Sequence, residues 1–150
     1  MQLTPAQRLE LVSAFLKTQS TLALSTSGDA GAPCVAPLFY LPGDNLEIYW
    51  FSSPRSGHGR NLKRDPAAAL AVYGHTERWE EIRGCQMRGA VETITGRRRR
   101  AVASAYVERF RLGALFQAAM LRSRLYMFRP RWVRYIDNSR GFGFKFEIDL

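Results

Sequence analysis

The chain has 150 residues, with 22 Lys+Arg against 13 Asp+Glu and a formal net charge of +9. That length fits one domain with an unstapled core, and 46% apolar with 12% aromatic residues excludes a disordered chain. No apolar run reaches the ~20 residues of a membrane helix and no leader pattern opens the sequence. The expectation is a single cytoplasmic domain, off the membrane, whose surplus of cations attracts anions in general.

Thr4-Pro5-Ala6-Gln7 predicts a helix start: a hydroxyl cap, proline at the first helical position, and a glutamine closing a capping box. Leu9, Val12 and Leu16 share a face, with Leu11 and Phe15 beside it; the helix is expected to end near Gln19. Residues 21–26 read as a strand, 27–31 as a turn, and 32–41 as the returning strand of a hairpin. Pro33 and Pro37 cannot donate ladder hydrogen bonds, so that strand is predicted at an edge or with a bulge, leaving backbone groups for a ligand. A third strand is expected over 46–52.

Residues 50–71 (WFSSPRSGHGRNLKRDPAAALA) read as strand, polar turn, short basic helix, strand. Ser52 and Ser53 end the first strand. Ser56, His58, Arg60, Lys63 and Arg64 mark the helix, and Asp65-Pro66 stops it. Hydroxyls followed by cations at a helix start suit a phosphate, because free N–H groups and the helix dipole favour an anion there. The same pattern also describes an ordinary solvated helix.

A fourth strand is expected over 67–73, then a loop carrying His75 and Trp79. Residues 81–95 form a long strand, with bulges or bends at Gly84 and Gly89 on either side of Gln86. Residues 97–109 predict a basic amphipathic helix with Val102, Tyr106 and Phe110 on one stripe. Its first turn, Arg97 to Arg100, opposes the helix dipole and is expected to fray into water in preference to the alternative, an acidic partner. A second helix over 112–121, a strand over 124–137 interrupted at Pro130, and a last strand over 142–148 complete the chain. Six or seven strands joined by short turns, with no βαβ alternation, predict a mainly β fold: an antiparallel barrel or sandwich with peripheral helices.

Cys34 and Cys85 sit in apolar runs without metal-ligand spacing and read as buried, reduced thiols. His58 and His75 are not in metal spacing either, so no protein-ligated metal is expected. There is no Walker lysine loop, GxSxG or GxGxxG, so any chemistry belongs to a bound cofactor. Tyr126, Phe128, Trp132 and Tyr135 alternate with arginines, as a nucleic-acid surface would require. Period two, however, places much of that set in a core, so nucleic acid is not the expected partner. Trp79 and Trp132 read as core or dimer-contact aromatics.

Four blocks stand in order: LALSTSGDAGAPCVAPLFY, LEIYWFSSPRSGHGRNLKRDPAAALAV, WEEIRGCQMRGAVE and RPRWVRYIDNSRGFGFK. Together they resemble the pyridoxamine 5′-phosphate oxidase-like split-barrel flavoproteins, and the ending resembles the YhbP-like branch of that superfamily. The resemblance implies a six-stranded split β-barrel, a homodimer, and FMN in a cleft at the subunit interface. By that resemblance the irregular strand from Ala36 to Tyr40, with Pro37, Leu38 and Tyr40, would pass its backbone along the isoalloxazine. Phe51, Ser52 and Ser53 would stand beside the phosphate and ribityl chain, and Gln86 matches a glutamine that points at the ring. Ser56, Gly57 and His58 fall where the oxidases carry a Ser-Arg-Lys phosphate clamp. Ala36 falls where they carry an arginine. Gly57 has no side chain, and His58 is only partly protonated near neutral pH; Arg55, Arg60 or Lys63 are the candidates to compensate. The implied function is a flavin-dependent oxidoreductase of unknown substrate, and the missing substrate-phosphate set argues against pyridoxamine phosphate oxidation itself. The alternatives are a split-barrel dimer that has lost flavin and serves as a non-catalytic binding module, or a relative that binds haem or a deazaflavin.

Overall fold

Residues 3–150 are described here from a computed structural model. In chain order the elements are α1 (Pro5–Thr18), β1 (Thr21–Ser27), β2 (Pro33–Phe39), β3 (Leu41–Pro42), β4 (Ile48–Ser52) and α2 (Gly57–Arg64). Then follow β5 (Ala67–Tyr73), β6 (Arg83–Ile94), α3 (Gly96–Phe110), α4 (Ala114–Leu121), β7 (Arg124–Asp137) and β8 (Lys145–Asp149). The strands form one antiparallel sheet in the order β2-β1-β5-β6-β7-β4-β3, with β8 also on β7. The mainly β architecture with outer helices is the expected one. The strand count is eight because a bend at Tyr40 separates the two-residue β3 from β2.

The split in the barrel has a local cause. One edge of β7 pairs with β4 over 124–128 and with β8 over 132–136. Pro130, which has no N–H to donate, lies in the gap between those partners. The other edge of β7 pairs with β6, with a register shift between Arg88 and Gly89. Gly89 fits that bulge because a Cβ there would strike the carbonyl oxygen of Arg129.

The main core joins Val12, Phe15 and Leu16 of α1 to Leu24, Trp50 and Phe128 of the sheet. On the opposite face, Tyr49, Leu125 and Met127 form a smaller cluster with Val102 of α3. Alternate residues of β4 and β7 therefore serve two cores, as period two requires. The capping box of α1 forms as expected: Gln7 N donates to Thr4 Oγ1 at 3.2 Å, and Thr4 N donates to Gln7 Oε1 at 2.8 Å. With its two prolines, β2 does lie at the sheet edge.

Four expectations are corrected. The arginine turn does not simply fray. Arg98 donates to the buried Glu47 carboxylate at 2.6 Å, and Arg99 donates to Met120 O at 2.9 Å and Ser123 O at 3.0 Å, so tertiary acceptors offset the unfavourable dipole. Cys34 is exposed, while Cys85 is buried; Cys34 belongs to an edge strand with few neighbours. The last strand starts at Lys145, since Gly141 (φ 131°) and Gly143 (φ 73°) hold a non-extended turn ahead of it. Of the two roles expected for Trp79, core or dimer contact, the first is corrected: it is exposed, and its ring meets Phe142 edge-on at 5.3 Å.

Candidate functional site

The strand-to-helix turn after β4 is held by serines. Ser56 is the N-cap of α2: its Oγ accepts from Gly59 N at 3.1 Å and donates to Ser53 O at 2.7 Å. Gly59 is buried, and a Cβ on it would lie 2.8 Å from Ser53 O. Ser53 Oγ accepts from Arg55 N at 3.1 Å. Gly57 faces open space, with nothing within 4 Å of a Cβ built there. The first N–H groups of α2 have no intrahelical acceptor, so the helix start offers donors and room to an anion.

His58 is tied to the strand that precedes the helix. Its Nε2 and the Ser52 hydroxyl are hydrogen-bonded at 2.7 Å, and burial pushes its pKa below the ordinary 6.5. At neutral pH the ring is therefore a neutral hydrogen-bonding group, not a cation. Arg60 donates to Arg55 O and Arg64 pairs with Asp29, whereas Arg55 and Lys63 are exposed and form no ion pair among the described residues. Buried Asn61, which carried no signal in the sequence reading, fixes the helix to the sheet by donating to Thr26 Oγ1 at 3.0 Å.

The other predicted residues divide. Pro37 is exposed on β2, and Leu38 packs against the main core. Tyr40 has a fully buried ring and its hydroxyl donates to Leu16 O at 2.5 Å, so its side chain belongs to the core; the resemblance placed only the backbone of this strand along the isoalloxazine. Burial raises the Tyr40 pKa, which keeps it a donor. The Phe51 ring faces α3, edge-on to Tyr106 at 5.3 Å and under the Arg99 guanidinium, also at 5.3 Å. Tyr106 in turn donates to Phe39 O at 3.0 Å, covering part of the free edge of β2.

Gln86 stands apart from this group. It opens onto a cavity of about 460 Å³ on the outer sheet face, with Ala23, Ser25, Ala71, Arg88 and Trp132. Its register partner on β7 is Arg134, whereas that of Ser52 is Arg124, ten positions earlier on that strand. The floor of small residues is walled by Trp132, over which the Arg88 guanidinium stacks at 4.0 Å.

The family model described as pyridoxamine 5′-phosphate oxidase matches residues 9–137. The chain belongs to the pyridoxamine 5′-phosphate oxidase family. Among its relatives, a UPF0306 protein of Klebsiella pneumoniae (strain 342) is 25% identical over 139 residues, 93% of this chain and 91% of that one. The UPF0306 protein YhbP of Salmonella paratyphi C is 23% identical over 137 residues, 91% and 90% of the two chains. Among solved structures, a Clostridium acetobutylicum protein related to general stress protein 26, of the pyridoxinephosphate oxidase family, has a TM-score of 0.67 at 14% identity, covering 98% and 97% of the chains. HutZ of Vibrio cholerae, described as a haem storage protein, has a TM-score of 0.68 at 17% identity, covering 87% and 91%. Both structures share the fold of this oxidase-family chain.

Within one chain of this oxidase-family member, Gln86 lines the outer-face cavity, while Ser56 and Gly57 stand at the start of α2. Arg124, the cross-strand partner of Ser52, is absent from the sequence reading because 72 residues of chain separate the two. No short-range pattern signals such a pairing. No helix among the described residues is long and apolar enough to cross a membrane.

Proposed function

We propose that the chain binds FMN at the start of α2 as a homodimer, and that any oxidoreductase activity is the flavin's. The observation that carries the reading is the open helix start at Gly57, flanked by Ser52, Ser53 and Arg55. Its donors suit a phosphate, and its serine cap holds the turn in place. When bound, FMN would supply a ring that accepts and returns electrons; the chain's own residues bind and orient it. Ser53, Arg55 and the N–H groups of Gly57 and His58 would hold the phosphate. With His58 neutral, binding rests on fewer charges than an arginine–lysine clamp.

A second copy is the natural occupant of the outer sheet face. Val35, Phe39 and Tyr73 are exposed there by 70%, 58% and 64%, beside the shallow floor of small residues. Such an apolar patch favours association.

The test is the absorbance spectrum of natively purified protein, with FMN titration of any apo fraction and a sedimentation measurement. A flavin band, or saturable FMN binding, in a dimer is the expected result. A haem band without flavin, or no binding by a monomer, overturns the reading.

A further inference from the structure

The sequence of α4, ALFQAAML, carries no charge and a single polar side chain, Gln117. Leu115, Phe116 and Leu121 are exposed by 82%, 63% and 80%, and Met120 is the one buried residue of the helix. A helix that is apolar all round is normally covered. Three large apolar side chains on one short exposed helix make a patch, not scattered surface contacts. A groove of about 500 Å³ between α3 and α4, lined by Ala103, Val107, Ala114, Ala118 and Leu121, continues that apolar surface.

The rim of the patch is cationic. Residues 96–124 hold eight arginines and one carboxylate, Glu108. Arg111 ends α3 just ahead of α4, and Arg122 is the C-cap of α4. Arg99 donates to Met120 O and Ser123 O, which brings the first turn of α3, with Arg97 and Arg100, to the end of α4. Arg97, Arg100, Arg111 and Arg122 are exposed and form no ion pair among the described residues.

These charges select the occupant. A two-fold contact through α4 would set one arginine rim against the same rim of a second copy, which like charges oppose. A nucleic acid would meet the cations but leave Leu115 and Leu121 in water. An anionic bilayer surface suits both features, because apolar side chains enter the acyl boundary while cations meet the headgroups. The lack of a spanning run bears on crossing a bilayer, not on lying against one.

We infer that α4 seats reversibly on an anionic phospholipid surface, inserting Leu115, Phe116 and Leu121 between headgroups that the four arginines hold. The contact uses none of the residues assigned to FMN, so it stands whether or not flavin binds.

The experiment is co-sedimentation of the full chain with vesicles of phosphatidylcholine alone or mixed with phosphatidylglycerol. The variants are Leu115→Gln with Leu121→Gln, Arg111→Gln with Arg122→Gln, and Arg131→Gln with Lys145→Gln. The last pair makes the same charge change at exposed positions of β7 and β8. All substituted side chains are exposed, so melting temperatures should stay near wild type. Wild type should bind the mixed vesicles at least tenfold more tightly than phosphatidylcholine. The leucine pair should lose at least tenfold on the mixed vesicles, and the Arg111–Arg122 pair about tenfold. The Arg131–Lys145 pair should bind as wild type does. No binding to the mixed vesicles, unchanged binding by the leucine pair, or equal losses in the two charge pairs would overturn the inference. So would a wild-type dimer that the leucine pair converts to monomer in sedimentation, since a second copy would then be the cover of α4.

Discussion

Arg98 of α3 donates to Glu47 at 2.6 Å, across 51 residues of sequence. The same guanidinium reaches the Tyr49 hydroxyl, which itself donates to Glu47 at 2.8 Å. This knot fastens α3 over the smaller core. Removing the arginine leaves a buried carboxylate with the Tyr49 hydroxyl and, 3.8 Å away, the single cation Arg129 among the described residues. Arg98→Ala should cost about 1–2 kcal/mol, less than the ~3–5 for breaking a buried pair because Arg98 is half-exposed. Urea unfolding measures the loss, which should shrink if Glu47→Gln is added.

Ser56 separates folding from binding. Ser56→Ala should lower stability by about 1 kcal/mol through the lost cap. Ser56→Asp keeps a capping oxygen and should stay near wild type in thermal unfolding. Its negative charge at the helix mouth should nonetheless weaken FMN binding at least tenfold. Equal FMN affinity for Ser56→Asp and wild type would place the phosphate elsewhere.

His58 should make the fold acid-sensitive. Burial holds its folded-state pKa below 6.5, so between the folded and unfolded values the unfolded chain binds more protons. Its contribution is thus intact above about pH 6.5 and lost as the pH falls through the folded-state value. His58→Gln, which can still meet Ser52, should flatten that part of the stability–pH curve in denaturant midpoints from pH 7.5 to 4.5. An identical slope in the variant would remove His58 as the cause.

Two glycines should respond in opposite ways. Gly89→Ala forces a methyl against Arg129 O and should destabilise by more than about 2 kcal/mol, seen as a large fall in melting temperature. Gly57 faces open space, so Gly57→Arg should fold normally. By restoring a cation beside the helix mouth, it should tighten FMN binding severalfold in a fluorescence titration.

Local chemistry was legible in the amino-acid order. The capping box at Thr4, the hydroxyl-then-cation start of α2, the edge strand with Pro33 and Pro37, and the bulge at Gly89 each depend on residues within a turn or on a residue's own backbone limits. The order of blocks likewise pointed to the split barrel. Only the tertiary structure decided which face each strand residue took: Tyr40 went inward, Cys34 outward, and Phe51 under α3. Strand periodicity names two faces without saying which is covered, and in β4 and β7 both are. It also decided the distant pairs, Ser52 with Arg124 and Glu47 with Arg98. Their meeting depends on strand register and helix docking, which are set by burial of the whole core and not by any neighbour in sequence.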